Sequence, residues 1–225
     1  MIRAVLFDAA GTLIELRETV GESYAREASA QGLSIPARRL DDAFRRVFAA
    51  ADPMLFPEAS RDEVASLEKN WWRGVVRSTF RAADPAQRLP DFDAGFEALW
   101  KAFSTPNAWR ARAGAHELLE RLRSEGLRRA IVSNFDHRLP EILAGLGLGE
   151  LIEVIVLPAD AGASKPDPRI FQRGLDRLGI PAEEAIYVGD DALRDIEGAR
   201  AAGLLAVAAG SLATLTELRI PPGAA

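Results

Sequence analysis

The chain has 225 residues, 48% of them hydrophobic, which is enough to bury a substantial core in one large domain or two. Its formal net charge of −5, with no block of Lys or Arg, argues against nucleic acid as a principal partner and leaves room for a local site that takes small anions. Cysteine is absent, which removes disulfides, thiolate metal ligands and cysteine nucleophiles.

The apolar run Ile2 to Phe7 carries the first expected strand, Ala4 to Phe7, which ends at Asp8 in the string Phe7-Asp8-Ala9-Ala10-Gly11-Thr12-Leu13. It enters the fold too early to be a signal peptide, and no run approaches membrane-spanning length, so a soluble, cytoplasmic protein without membrane association is expected. A carboxylate at the C-terminal tip of a strand, followed by a glycine turn and a hydroxyl, sits where open α/β sheets bind ligands. Asp8 is therefore a candidate nucleophile, although an isolated Asp there also reads as a turn cap.

Roughly 90 residues follow with helical periodicity and no convincing strand, too many for an ordinary strand-to-helix connection, so they predict an inserted helical domain. Within it, Trp71 and Trp72 read first as helix packing and second as ligand contacts. Further strands are expected at Arg129 to Ser133, Val154 to Leu157, Ala185 to Gly189 and Leu205 to Ala209. Amphipathic stretches lie between them at Leu139 to Leu146, Arg169 to Leu178 and Leu193 to Ala202. This alternation predicts an α/β fold: a Rossmann-like parallel sheet core from residues 1–15 and 108–225, with residues 16–107 as the helical insert. The Pro221 to Ala225 tail is expected to fray.

Polar groups stand at or just beyond the strand ends: Ser133-Asn134, Ser164-Lys165-Pro166-Asp167 and Gly189-Asp190-Asp191. In a parallel sheet such ends gather along one edge. Alone, Lys165 reads as a solvated lysine before a proline turn; the Lys-Pro-Asp-Pro context ahead of a helix argues for more.

In this combination the chain resembles the haloacid dehalogenase-like (HAD) hydrolase superfamily, whose motifs are an Asp at a strand end, a Ser or Thr, a Lys and an acidic pair. The resemblance covers nearly the whole chain, and the Trp71-Trp72 pair is similar to the rhythmically expressed gene 2-like subgroup. It implies that the insert is a helical cap, that Asp8 is the nucleophile toward a small phosphorylated metabolite, and that Ser133 and Lys165 assist it, with Thr12 and Asn134 on the substrate. It also implies Mg²⁺ held by Asp8, Asp190 and the main-chain carbonyl of Ala10, with Asp191 and Asp195 behind them; a hard cation of this kind selects oxygen ligands. Asp195 reads equally well as a first-turn helix residue. Gly11 and Gly189 are expected to allow tight turns. Oligomeric state is not legible from spacing.

One position departs from the pattern. Phosphatases of the superfamily carry a second Asp two residues after the nucleophile, as general acid and base, and this chain has Ala10 there. General acid–base help of that kind contributes about 10²- to 10⁴-fold, so Ala10 predicts weakened turnover of poor leaving groups. Haloacid dehalogenases also lack the second Asp. Their pattern, however, places a large aromatic at position 10, a tyrosine six residues after the lysine and Ser/Asn in place of the acidic pair, where this chain has Ala10, Phe171, Asp190 and Asp191. A third alternative, a binder of a phosphorylated ligand or protein partner without catalysis, accounts for Ala10 directly.

Overall fold

The apolar N-terminal run forms strand β1, Ala4–Phe7, buried along its whole length in the computed structural model, which describes residues 1–220. The Pro221 to Ala225 tail, expected to fray, lies outside the described residues. In chain order the further elements are β2 Ile14–Leu16, α1 Val20–Ala30, α2 Ala37–Ala50, α3 Arg61–Ala83, α4 Phe92–Ser104, β3 Trp109–Ala111, α5 Ala115–Ser124, β4 Arg128–Val132, α6 Leu139–Gly145, β5 Val154–Val156, α7 Pro158–Ala161, α8 Pro168–Leu178, β6 Ala185–Gly189, α9 Gly198–Ala201 and β7 Leu205–Ala208.

The main sheet runs β5-β4-β1-β6-β7, and every pairing in it is parallel. A strand flanked on both sides and covered on both faces must be apolar throughout, and Ala4-Val5-Leu6-Phe7 meets that requirement. The register carries the functional consequence: Phe7 lies opposite Ile131 of β4 and Val188 of β6, so the residues just beyond those positions reach the same sheet edge. The α/β parallel core expected from the sequence is present, with strand limits differing by one residue at most.

Helix α8 fixes the lysine segment to this sheet. Pro168 occupies the first turn, where its missing N–H costs nothing, and Asp167 caps the helix by accepting from Arg169 N. Ile170, Phe171, Gly174, Leu175 and Leu178 form its buried face. A Cβ on Gly174 would come within 2.8 Å of Val132 Cγ2 and 3.1 Å of Leu6 Cδ2, so glycine is what lets the helix lie this close to β1 and β4.

The chain divides into two compact units, one of Met1–Glu15, Leu55–Glu58 and the chain from Arg110 onward, the other of Leu16–Met54 and Ala59–Trp109. The second unit is helical, with Tyr24, Leu40, Phe80 and Phe96 in its core and the Tyr24 and Phe80 rings stacked at 5.3 Å. Its first helix starts at a reciprocal capping box: Glu22 N donates to Thr19 Oγ1 at 3.1 Å and Thr19 N to Glu22 Oε2 at 2.7 Å. Trp71 and Trp72 pack edge to face at 5.0 Å, with Phe48 stacked on Trp72 and the Trp71 indole donating to the Asp52 carbonyl at 3.0 Å. Both tryptophans thus have packing roles inside the helical unit.

Two details differ from the sequence reading. Strands β2 and β3 form a separate two-stranded ribbon; at three residues each they are too short to show alternation. The stretch expected as one helix from Leu193 is a π-helical segment, Ala192–Glu197, followed by the short α9. A π segment carries one extra residue per turn, and such distortions cluster at functional sites.

Candidate active site

Asp8 leaves β1 with its N–H donating to the Val188 carbonyl at 2.9 Å, which anchors it between the ends of β4 and β6. Its buried carboxylate accepts from Lys165 Nζ through Oδ1 at 2.7 Å. The same ammonium donates to Asp195 Oδ1 at 2.6 Å and to the Tyr187 hydroxyl at 3.0 Å. All three N–H bonds of a buried lysine are therefore matched by acceptors, which is the condition for keeping such a charge out of water.

Burial works against the Lys165 charge, but the charges of Asp8 and Asp195 more than offset it, and its pKa lies above the ordinary lysine value. Asp8 is pushed up, first by burial and further by the Asp195 charge, with Lys165 and the Ser133 hydroxyl offsetting only part. Ser133 is buried at the end of β4, where its N–H donates to the Val156 carbonyl at 3.1 Å.

Asp190 follows β6, and its Oδ1 accepts from Thr12 Oγ1 at 3.2 Å. Its outer edge is open to solvent. Partial desolvation raises its pKa first, and the charges of Asp8 and Asp195 raise it further. Carboxylate oxygens of Asp8, Asp190 and Asp195 all lie within 4.8 Å of one another. An all-oxygen set whose own charges oppose ionisation fits a hard divalent cation. Gly11 belongs to this geometry: its φ is +92°, and a Cβ there would meet Asp190 Oδ2 at 2.5 Å.

Asp195 is already saturated by the protein. Oδ1 takes Lys165 Nζ and the Tyr187 hydroxyl, and Oδ2 takes the Asp190 and Asp191 N–H groups at 3.0 Å each. Its part is to hold the lysine and the loop that carries Asp190. Asp191 turns away and caps the π-helical segment, accepting from Leu193 N at 2.9 Å and Arg194 N at 2.7 Å. Gly189 has a different reason from the tight turn expected of it: φ is not positive, and a side chain there would collide with the Asp195 carboxyl group.

The structure thus gathers Asp8, Thr12, Ser133, Lys165, Asp190 and Asp195, with Ala10 two residues past Asp8 in the turn. Thr12, expected on the substrate, is fully buried and supports Asp190. Asn134, also expected on the substrate, uses its Oδ1 and one amide N–H on the Lys165 main chain. Tyr187, whose hydroxyl contacts Lys165 and Asp195, is not among the residues expected at the site, because inside an apolar strand it reads as core; a lone phenol in a fully buried run is the available signal.

A model of the haloacid dehalogenase-like hydrolase family matches residues 2–203. Human haloacid dehalogenase-like hydrolase domain-containing protein 3 is 38% identical over 205 residues, spanning 90% of this chain and 80% of that protein. The Drosophila melanogaster rhythmically expressed gene 2 protein is 29% identical over 212 residues, spanning 89% and 80% respectively. Among solved structures, a dehalogenase with an intermediate complex superposes with a TM-score of 0.68 at 25% identity, covering 92% of this chain and 84% of that one. A HAD phosphatase from Thermococcus onnurineus gives 0.60 at 24% identity, covering 92% and 86%, a likeness of fold.

Proposed function

The chain belongs to the haloacid dehalogenase-like hydrolase family, and we propose that within it the protein is a metal-dependent phosphate-ester hydrolase working through an aspartyl-phosphate on Asp8. The observation that carries this reading is the meeting of the buried Asp8 with Lys165 at 2.7 Å beside another carboxylate, the exposed Asp190. The substrate class is a small phosphate monoester. The helical unit takes the substrate-covering role of the family's cap, and the cytoplasm is the compartment.

In the first step an Asp8 carboxylate oxygen bonds to phosphorus as the ester P–O bond breaks, and the leaving oxygen takes that electron pair and a proton from water. Water then attacks the phosphorus, releases inorganic phosphate and restores the carboxylate. Lys165 fixes the rotation of Asp8 through Oδ1 and supplies positive charge against the incoming dianion. Ser133 donates toward a phosphoryl oxygen. Mg²⁺ held by Asp8, Asp190 and the Ala10 carbonyl would neutralise charge on the transferring group.

The acidic residues at 190 and 191 and the phenylalanine at 171 speak against dehalogenation, for which the pattern calls for Ser/Asn and tyrosine. Ala10 alone favours a second reading, a phosphoryl-ligand binder that does not turn over, since its methyl group cannot transfer a proton. The deciding experiment is phosphate release from 4-nitrophenyl phosphate with Mg²⁺ and with chelator. Hydrolysis that needs the metal and disappears in Asp8→Asn is the expected result; no release under either condition would replace the hydrolase with the binder.

A further inference from the structure

We infer that Tyr187 is a positioning residue for Lys165, its phenol tying the ammonium to the main chain of β4 immediately before Ser133. The hydroxyl has one proton and faces two acceptors, the Val132 carbonyl and Asp195 Oδ1, each at 2.9 Å. An oxygen lone pair is thereby left for the Lys165 ammonium at 3.0 Å. The ring is fully buried and packs edge-on against Phe171, with centroids 4.9 Å apart, while the hydroxyl is held by its own hydrogen bonds to Val132, Asp195 and Lys165. Burial pushes the phenol well above its usual range, with the Asp8 and Asp195 charges adding to it, and the group stays a neutral hydroxyl.

Without that oxygen, the ammonium keeps only two carboxylates, Asp8 and Asp195, on opposite duties: one is the proposed nucleophile and the other holds the Asp190 loop. Its third N–H would be left in a buried space without an acceptor, which the ammonium relieves by rotating and shifting between the two carboxylates. The phenol thus sets where positive charge sits relative to Asp8. It touches neither substrate nor metal and acts through the lysine.

The kinetic part of the test rests on the hydrolase reading; the spectroscopic part does not. Tyr187→Phe keeps the ring and removes the hydroxyl. With 4-nitrophenyl phosphate and Mg²⁺, kcat should fall about tenfold with KM within about twofold, as expected when a hydrogen bond to a charged group is lost. Phe171→Leu, which removes ring packing and leaves the hydroxyl, should lower thermal stability and keep kcat. Lys69 and Lys101 are the chain's other lysines, so isotope-labelled lysine resolves the Lys165 ammonium directly. In the native protein its protons should be slow to exchange and show cross-relaxation to the Tyr187 ring, and in Tyr187→Phe the exchange should accelerate.

An unchanged kcat in folded Tyr187→Phe, or a Phe171→Leu variant with the same kinetic loss, would overturn the inference. So would native ammonium protons showing no contact with the Tyr187 ring, a measurement that stands even if the variant does not fold. If the native protein releases no phosphate, the hydrolase reading fails by itself and the ammonium spectra alone decide the role of Tyr187.

Discussion

Asn134 and Lys165 hold each other's segments by two reciprocal hydrogen bonds: the Lys165 N–H donates to Asn134 Oδ1 at 2.7 Å, and Asn134 Nδ2 donates to the Lys165 carbonyl at 2.9 Å. An amide side chain is used here as a splint between two loops, one leaving β4 and one entering α8. The lysine is therefore fixed at both ends, by Asn134 at its main chain and by three acceptors at its Nζ.

Asn134→Ala removes both bonds of that splint at once. Net stability should fall by about 1–3 kcal/mol, the range for two such bonds at a partly buried site. Turnover should drop more than KM rises, because the loss reaches the substrate through the lysine. Denaturant melts with parallel steady-state kinetics measure both; a variant changed only in KM would return Asn134 to the substrate.

Asp190→Asn tests the carboxylate crowding. Burial and the charges of Asp8 and Asp195 raise the cost of ionising Asp190, so removing its charge should leave the metal-free protein as stable as the native one or more so. The Mg²⁺-dependent rise in Tm should largely vanish, since one of two proposed anionic ligands is gone. Thermal melts across a Mg²⁺ series read both effects, and an undiminished metal response would remove Asp190 as a principal ligand.

Asp195 and Asp191 should separate sharply. Asp195→Ala strips a buried carboxylate from Lys165, the Tyr187 hydroxyl and two N–H groups, and a loss of about 3–5 kcal/mol is expected for breaking such a buried pair. Asp191→Ala removes a partly exposed helix cap and should cost about 1 kcal/mol. Equal losses in urea melts would contradict the assignment of Asp195 as the site's central acceptor.

The pH dependence follows from Asp8. Its pKa is pushed above 3.8, chiefly by burial, so the folded chain binds that proton more tightly than the unfolded chain does. Its contribution therefore lowers stability as pH rises from 3.8 through the raised value. In chelator, Asp8→Asn should remove that downward slope, and in the native protein the stabilisation by Mg²⁺ should grow with pH as metal and proton compete. A variant with the native pH profile would show that Asp8 is not the source.

The sheet and the site were legible to different depths. The strands could be read because a doubly covered parallel strand must be apolar, and the strand ends then gave Asp8, Ser133 and Asp190 a common edge through register alone. What escaped was the division of labour. Thr12, Asn134 and Asp191 are polar residues at the right edge, yet their partners are Asp190, the Lys165 main chain and the π-helical turn, contacts set by side-chain direction that spacing does not encode. Tyr187 was hidden by its apolar neighbours, and Gly189 was credited to a turn although its reason is a carboxyl group six residues on in sequence, Asp195.

Ala10 supports the most direct test of chemistry, because its methyl group cannot move a proton while its carbonyl is still available to a metal. If Asp8 is the nucleophile, the native protein should hydrolyse an activated aryl phosphate much faster than an alkyl phosphate, since a phenolate departs with little protonation. Ala10→Asp supplies the missing acid and should narrow that gap by raising the alkyl rate, up to the roughly 10²- to 10⁴-fold that such help contributes. A third carboxylate beside Asp8 and Asp190 adds to an already crowded set of negative charges, so the comparison belongs at saturating Mg²⁺ with folding verified by melting. A folded, metal-loaded Ala10→Asp protein with the native aryl-to-alkyl ratio would mean that leaving-group protonation does not limit this site.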